Sequence, residues 1–347
     1  MRALFLILSL CWLSASAQMT SHMTPPSAGY AGYHASYKIP FLLHTPPDAE
    51  ASLANNDKKK YPIIIHFHGI GERTTSYASM SAMSTGDLSK LYATTPASLL
   101  RYSYSSLVGK RYAAPGRTDS TQFFYMFPQT WGAAQYTWLV YPHESIKWIK
   151  ANLSHIVDTN RIYLAGLSFG GGAVWCAIQD SLINIQVAAA SPCCPGYNEY
   201  SGFRPHGTPV PNQERNWDFL ARSGMPIYAL HAANDGSTPS CFGTGACISD
   251  RSIDSIRKYR PLTYPIYRRY SSGGHNIWDR VWSPALQMTA YANTNGNATT
   301  FEISLQSWFL QFSTAGPRRP DLAWQYPMRY DPPLARIFSI TPFKIAA

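Results

Sequence analysis

From Tyr61 to Tyr270, short apolar runs rich in β-branched and aromatic residues alternate with stretches patterned for helices, and this alternation restricts the possible folds most. The runs Tyr37–His44, Tyr61–Phe67, Phe123–Phe127, Arg161–Leu167, Asn184–Ala190, Pro226–Ala232 and Thr263–Tyr270 predict strands. Helical spacing falls at Glu144–Leu153, Phe169–Asp180, Trp217–Arg222 and Phe301–Phe312. Strands separated by helices imply an α/β fold, a mostly parallel sheet covered on both faces. Ala49–Lys60 reads as a polar loop, and neither a repeat nor a linker divides the core. With 45% apolar and 14% charged residues, disordered, collagen-like and coiled-coil classes are excluded.

The amino terminus has the make-up of an export signal. Arg2 provides the positive end, Ala3–Leu13 the apolar run, and Ala15-Ser16-Ala17 a cleavage site, so residues 1–17 are expected to be removed. Residues 18–315 are then the catalytic domain and 316–347 a Pro- and Arg-rich tail. No segment approaches the ~20 apolar residues of a spanning helix. The expected location is therefore extracellular or periplasmic, an oxidising setting in which Cys241 and Cys247 are the preferred disulfide pair. Pairing of either with Cys193 or Cys194 stays open. Cys176, on an apolar helical pattern, reads as a buried small hydrophobe. The net charge of +10 comes with no basic run beyond Lys58-Lys59-Lys60, so no nucleic-acid partner is expected; the basic surface suits an acidic polymer.

The strongest chemical signal is Gly166-Leu167-Ser168-Phe169-Gly170, between a strand pattern and a helix pattern. A serine nucleophile needs a tight strand-to-helix turn, and the flanking glycines relieve the crowding that thrusts Oγ outward. The following helix directs its amino-terminal N–H groups and dipole toward a developing oxyanion. A phosphate-binding loop is the competing reading, but its Gly-Lys-Ser/Thr ending is missing.

Serine at its ordinary pKa requires a general base, held in turn by a carboxylate. Where such a turn occurs the chain order is Ser, acid, His. His275 follows every plausible acid and sits in Gly273-Gly274-His275, a loop whose glycines permit a sharp turn. Among Asp180, Glu199, Glu214, Asp218, Asp235, Asp250 and Asp254, the choice falls on Asp235, just past the strand ending Leu230-His231. Asp250 and Asp254 are held in reserve. The oxyanion donors expected are the amides of Phe169 and of Ile70, the latter in the loop after Tyr61–Phe67. His66-x-His68 is half of a metal motif whose Asp-His half is missing, so no metal is expected. Trp131 and Trp278 are the preferred aromatic walls for a substrate.

The segments His68–Arg73, Asn160–Gly172, His231–Asp235 and Gly273–Asp279 resemble the α/β-hydrolase superfamily. Within it they look most like secreted polyhydroxybutyrate-depolymerase-like, feruloyl and acetyl-xylan esterases and predicted peptidases of the dienelactone-hydrolase type. The resemblance implies the α/β-hydrolase fold over about residues 36–315, Ser168 as nucleophile, His275 as base, Asp235 as its orienting acid, and Ile70 and Phe169 as amide donors. It implies no cofactor and an ester substrate, on a polysaccharide or a polyester. A serine peptidase and a non-catalytic binding protein on the same scaffold are the alternatives. The oligomeric state is not legible in the sequence.

Overall fold

The computed structural model describes residues 18–27, 37–74, 85–93, 97, 107, 109–131, 137–196, 217–238, 248–282, 289–292 and 299–315. The expected signal at 1–17, the tail at 316–347 and the Cys241–Cys247 pair lie outside the described residues. Eight strands form one sheet: β1 (Gln18–Met23), β2 (Pro40–Thr45), β3 (Tyr61–Phe67), β4 (Phe124–Pro128), β5 (Val157–Leu167), β6 (Ala189–Cys193), β7 (Tyr228–Ala232) and β8 (Ile266–Tyr270). Their spatial order is β1-β2-β4-β3-β5-β6-β7-β8. β1, β2 and β4 pair antiparallel, whereas every pairing from β4 through β8 is parallel. β9 (Thr289–Ala292) and β10 (Thr299–Glu302) form a separate antiparallel pair, with β9 lying against β8.

The central strands are buried on both faces, which is why β3 reads as a nearly continuous apolar run, interrupted by His66, with every residue buried, whereas the edge strand β8 is only half-buried. One face packs Ile63, Ile65, Phe124, Leu164 and Trp175 into a cluster with helix Thr137–Asn152. The other packs Ile64, Tyr125, Tyr163, Trp282 and Phe309. Alternate residues of β3 thus feed opposite clusters, as the period of a strand requires.

Several elements depart from the sequence reading. Pro47–Ala54 is a helix rather than part of a polar loop: Pro46 and Pro47 start it, and Ala49 and Ser52 bury one narrow side that the polar composition hides. Asn184 ends a short helix, Ser181–Asn184, capped by the Asp180 side chain through the Leu182 and Ile183 amides, so β6 begins only at Ala189. Short apolar runs do not distinguish strand from buried helix, and here the cap decided. Helix Thr137–Asn152 runs through Pro142 instead of starting after it, and at the C-terminal end of the described chain the helix is confined to Leu305–Phe309 after β10.

Candidate active site

Parallel strands bring their carboxyl ends to one edge, and register aligns them: Phe67 pairs with Gly166 and Leu167 with Cys193. The loops after β3, β5, β6, β7 and β8 therefore meet there, where sheets of this kind build their sites.

Ser168 sits at the turn from β5 into helix Phe169–Gln179 with φ 58° and ψ −118°. Such a conformation is costly for a residue with a Cβ, and it persists only because its surroundings over-determine it. Ser168 N–H donates to Cys193 O at 3.0 Å, while Ser168 O accepts from Gly172 N–H at 3.0 Å and from Gly196 N–H at 2.6 Å. The glycines around it answer to close approach. A Cβ on Gly166 would lie 2.3 Å from Gly170 O, and one on Gly170 would lie 2.1 Å from Phe67 O. Gly196 covers the turn from the other side, since a Cβ there would stand 3.2 Å from Ser168 Oγ and 3.1 Å from Phe169 N. The sequence reading missed Gly196; Cys194-Pro195-Gly196 is a turn signal after a strand, and that was its only trace.

Asp235 and His275 form the tightest charged contact at this edge, with Nδ1 of His275 2.8 Å from Asp235 Oδ2. An Nδ1–H donating to the carboxylate leaves the Nε2 lone pair available for a proton. Asp235 is buried, and its other oxygen accepts from the amides of Ser237 at 2.9 Å and Thr238 at 3.1 Å. Thr238 Oγ1 adds a bond of 2.9 Å to Oδ2. His231 Nε2 approaches the same oxygen to 3.3 Å, its own Nδ1 meeting Ser249 Oγ at 3.0 Å. Burial alone would raise the Asp235 carboxyl, yet the contacts from His231 and His275 and the Thr238 amide outweigh it and hold the group well below the usual carboxylate range. Asp235 is thus ionised and anchored.

One link joins this pair to the serine turn, and a second joins its two loops to each other. Thr238 Oγ1 lies 3.4 Å from both His275 Nδ1 and Cys194 O, and Cys194 adjoins the carbonyl that binds Ser168 N–H. Asn234 Oδ1 accepts from Gly274 N–H at 2.9 Å, fastening the base loop to the acid loop. Gly273 and Gly274 have φ of 137° and 65°, which favours glycine at both. Ser168 Oγ and the His275 imidazole are not hydrogen-bonded to each other in this conformation. The reserve acid Asp250 instead faces Arg269 at 3.8 Å, and Asp254 faces Arg257 at 3.7 Å.

The expected donor loop also reaches the serine, because a Cβ on Gly69 would lie 3.8 Å from Ser168 Cβ. Ile70 opens a one-turn 3₁₀ helix, Ile70–Glu72, and a first-turn N–H has no acceptor within its own helix. His68 braces this loop: Nδ1 contacts Gly69 O at 2.5 Å, and Nε2 accepts from Thr130 N–H at 3.0 Å. Burial pushes His68 down to about 4, so the ring is neutral and its tautomer is fixed by those two bonds. Burial raises the carboxyl of Glu72, against bonds from the Glu72 and Gly69 amides.

His66 points elsewhere, its ring 4.9 Å from Trp278 and 5.6 Å from Phe127, and burial lowers it to about 3. The His-x-His pair therefore does not converge. Among the described residues, Cys194, His231 and Asp235 bring possible ligand atoms within 4.8 Å of one another, but both Asp235 oxygens already accept protein donors. Trp278 corrects the sequence reading. It is 1% exposed and packs on His66 and Trp282, so it anchors the helix behind the His275 loop and does not face a cleft. Its short helix turns the indole inward, which the spacing Gly-Gly-His-x-x-Trp does not reveal. Trp131 is half-buried just past β4, bridged to Thr74 and packed against the core.

No family model and no curated protein matches the sequence. Solved structures do. The chain is similar to the carboxylesterase Cest-2923 from Lactobacillus plantarum WCFS1, at 16% identity over 76% of this chain and 86% of that one, with a TM-score of 0.47. It is similar to the S-formylglutathione hydrolase FrmB from Staphylococcus aureus, at 13% identity over 78% and 96% of the two chains, TM-score 0.46. A thermostable esterase matches at 19% identity and TM-score 0.44 over 85% of this chain, which spans 63% of that one. The strand order, the antiparallel β2 and the strained serine between β5 and its helix give this chain the α/β-hydrolase fold.

Proposed function

We propose that the protein is a secreted serine carboxylesterase that cleaves ester bonds through an acyl-enzyme, with Ser168 as nucleophile, His275 as general base and Asp235 as orienting acid. The observation that carries this reading is the 2.8 Å Asp235–His275 contact, fastened through Thr238 and Cys194 to a serine held at φ 58°. His275 Nε2 takes the Ser168 hydroxyl proton as Oγ attacks the ester carbonyl. The carbonyl oxygen gathers negative charge, which the Ile70 and Phe169 amides receive. Collapse of that intermediate breaks the ester bond, and His275 returns the proton to the leaving alcohol. A water then repeats the sequence on the acyl-serine and frees the acid. Asp235 remains ionised throughout and steadies the imidazolium. No step requires a cofactor.

The substrate class proposed is an ester of a polysaccharide or a polyester, with half-buried Trp131 as the aromatic contact. Export rests on the Arg2, Ala3–Leu13 and Ala15-Ser16-Ala17 pattern; among the described residues no helix is long and apolar enough to cross a membrane. Turnover of p-nitrophenyl acetate, set against chromogenic peptides, tests the reaction. Ester cleavage lost in Ser168→Ala supports it. Peptide cleavage alone would make the protein a serine peptidase, and no turnover of either would make it a binding protein.

A further inference from the structure

The parallel strands have a second end, and it is built differently. A cavity of about 660 Å³ opens there, lined by Lys59, Lys60, Arg111, Arg117 and Arg161 with one carboxylate, Asp119. Lys59 and Lys60 precede β3, and residues 115–121 lead toward β4, so the cavity lies at the amino ends of the strands. Seven residues of β3 at about 3.3 Å each put it roughly 20 Å from the loops that carry Ser168. Its size falls within the range of small-ligand sites, about 300–1,000 Å³.

The cations are partly ordered before any ligand arrives. Arg111 donates to the Ser120 hydroxyl at 3.0 Å and the Ser120 carbonyl at 2.6 Å, and pairs with Asp48 behind the lining. Arg161 pairs with Asp158 at 3.6 Å, also from outside, and Arg117 with Asp119 at 3.0 Å. Lys59 Nζ stands 5.1 Å over the Tyr61 ring, and among the described residues neither Lys59 nor Lys60 is in an ion pair. Two lysines thus line a concave surface whose arginines each have a carboxylate partner. Guanidinium planes and ammonium groups recognise anionic oxygens, those of carboxylates as well as those of phosphates. No aromatic ring lines the cavity among the described side chains, whereas single-stranded nucleic acid is held by stacking as well as charge.

We propose that this cavity is an anchoring site for a carboxylate-bearing polysaccharide, holding uronate units while ester groups elsewhere on the polymer reach Ser168. Binding itself does not depend on the esterase reading; only its use for polymer hydrolysis does.

The full chain is tested by affinity electrophoresis and calorimetry against polygalacturonate, with dextran as the neutral control, at low and high NaCl. The expected result is binding to polygalacturonate alone, weakened at least about 10-fold by salt, since exposed charges are screened. Lys59→Glu/Lys60→Glu lowers affinity at least 10-fold and leaves p-nitrophenyl acetate turnover unchanged. Lys59→Gln/Lys60→Gln gives an intermediate loss and guards against misfolding of the charge-reversed protein. Equal polymer binding by the variants, equal binding of dextran, or tighter capture of a single-stranded oligonucleotide would overturn the proposal. If the wild type turned over no ester yet lost polygalacturonate on charge reversal, the anchor would stand and the esterase reading would fall.

Discussion

The two ends of the central sheet treat charge in opposite ways. At the carboxyl ends, Asp235 is buried and bonded on both oxygens, His68 is neutral with both ring nitrogens engaged, and Ser168 is held in a strained backbone conformation. At the amino ends, Lys59, Lys60, Arg111 and Arg117 stand exposed around an open cavity. Buried groups gain from fixed partners what they lose in hydration, so their positions are precise and intolerant of change. Exposed cations keep their water and act through a screened field, so they tolerate substitution and bind by number. Precision belongs to the end that carries Ser168, and tolerance to the end that carries the basic cavity.

The comparison is broken most directly at the serine. Ser168→Ala and His275→Ala are each expected to lower ester turnover by at least about 10³ with the fold retained, as read by steady-state kinetics and circular dichroism. Asp235→Asn is expected to fall almost as far, because the amide favours the wrong His275 tautomer. A full loss in Asp250→Asn with Asp235→Asn intact would move the acid to the helix Ile248–Lys258.

Gly170→Ala attacks the same end through packing. Its Cβ would lie 2.1 Å from Phe67 O and 2.7 Å from His68 O, both backbone, so a loss of about 3 kcal/mol is expected in urea melts. A loss under 1 kcal/mol would mean that the turn yields more readily than its contacts imply.

Acid sharpens the contrast. His66 and His68 titrate near 3 and 4 when folded, below the ordinary 6.5, so the unfolded chain binds more protons between those values. Stability therefore falls as pH drops through that window. Asp235, depressed when folded, adds a further loss below the ordinary carboxylate value. His66→Phe is expected to flatten the dependence of Tm on pH between about 6 and 4, and an unchanged slope would assign it to other groups. At the opposite end the expected effect is smallest: Lys60→Ala should shift unfolding by no more than about 0.5 kcal/mol. A larger shift would show that the basic cavity is part of the core's stability.

Much of this architecture was visible as pattern. β3 matches its apolar run residue for residue, and the helix after Ser168 starts where the glycine-flanked turn places it. Strands buried on both faces announce themselves because nearly every position is apolar, with His66 and His231 as the buried exceptions. The Pro47–Ala54 helix did not, since its buried side is only a few small residues wide. Asp235 and His275 were chosen for lying past strand ends, and the structure brings those two into contact. Trp278 was placed wrongly for a related reason: an aromatic residue near a loop is equally compatible with a cleft wall and with a core, and only its neighbours His66 and Trp282 distinguish them.

The sequence by itself determined the alternation of strands and helices and the residue types at each turn, because local sterics and periodicity act over a few neighbours. Tertiary structure alone decided that Gly196 covers Ser168, that Thr238 reaches Cys194 and Asn234 fastens Gly274, and that basic residues from separate segments share one cavity. Those contacts join positions tens of residues apart, and no local preference encodes a distance that exists only once the sheet has closed its register.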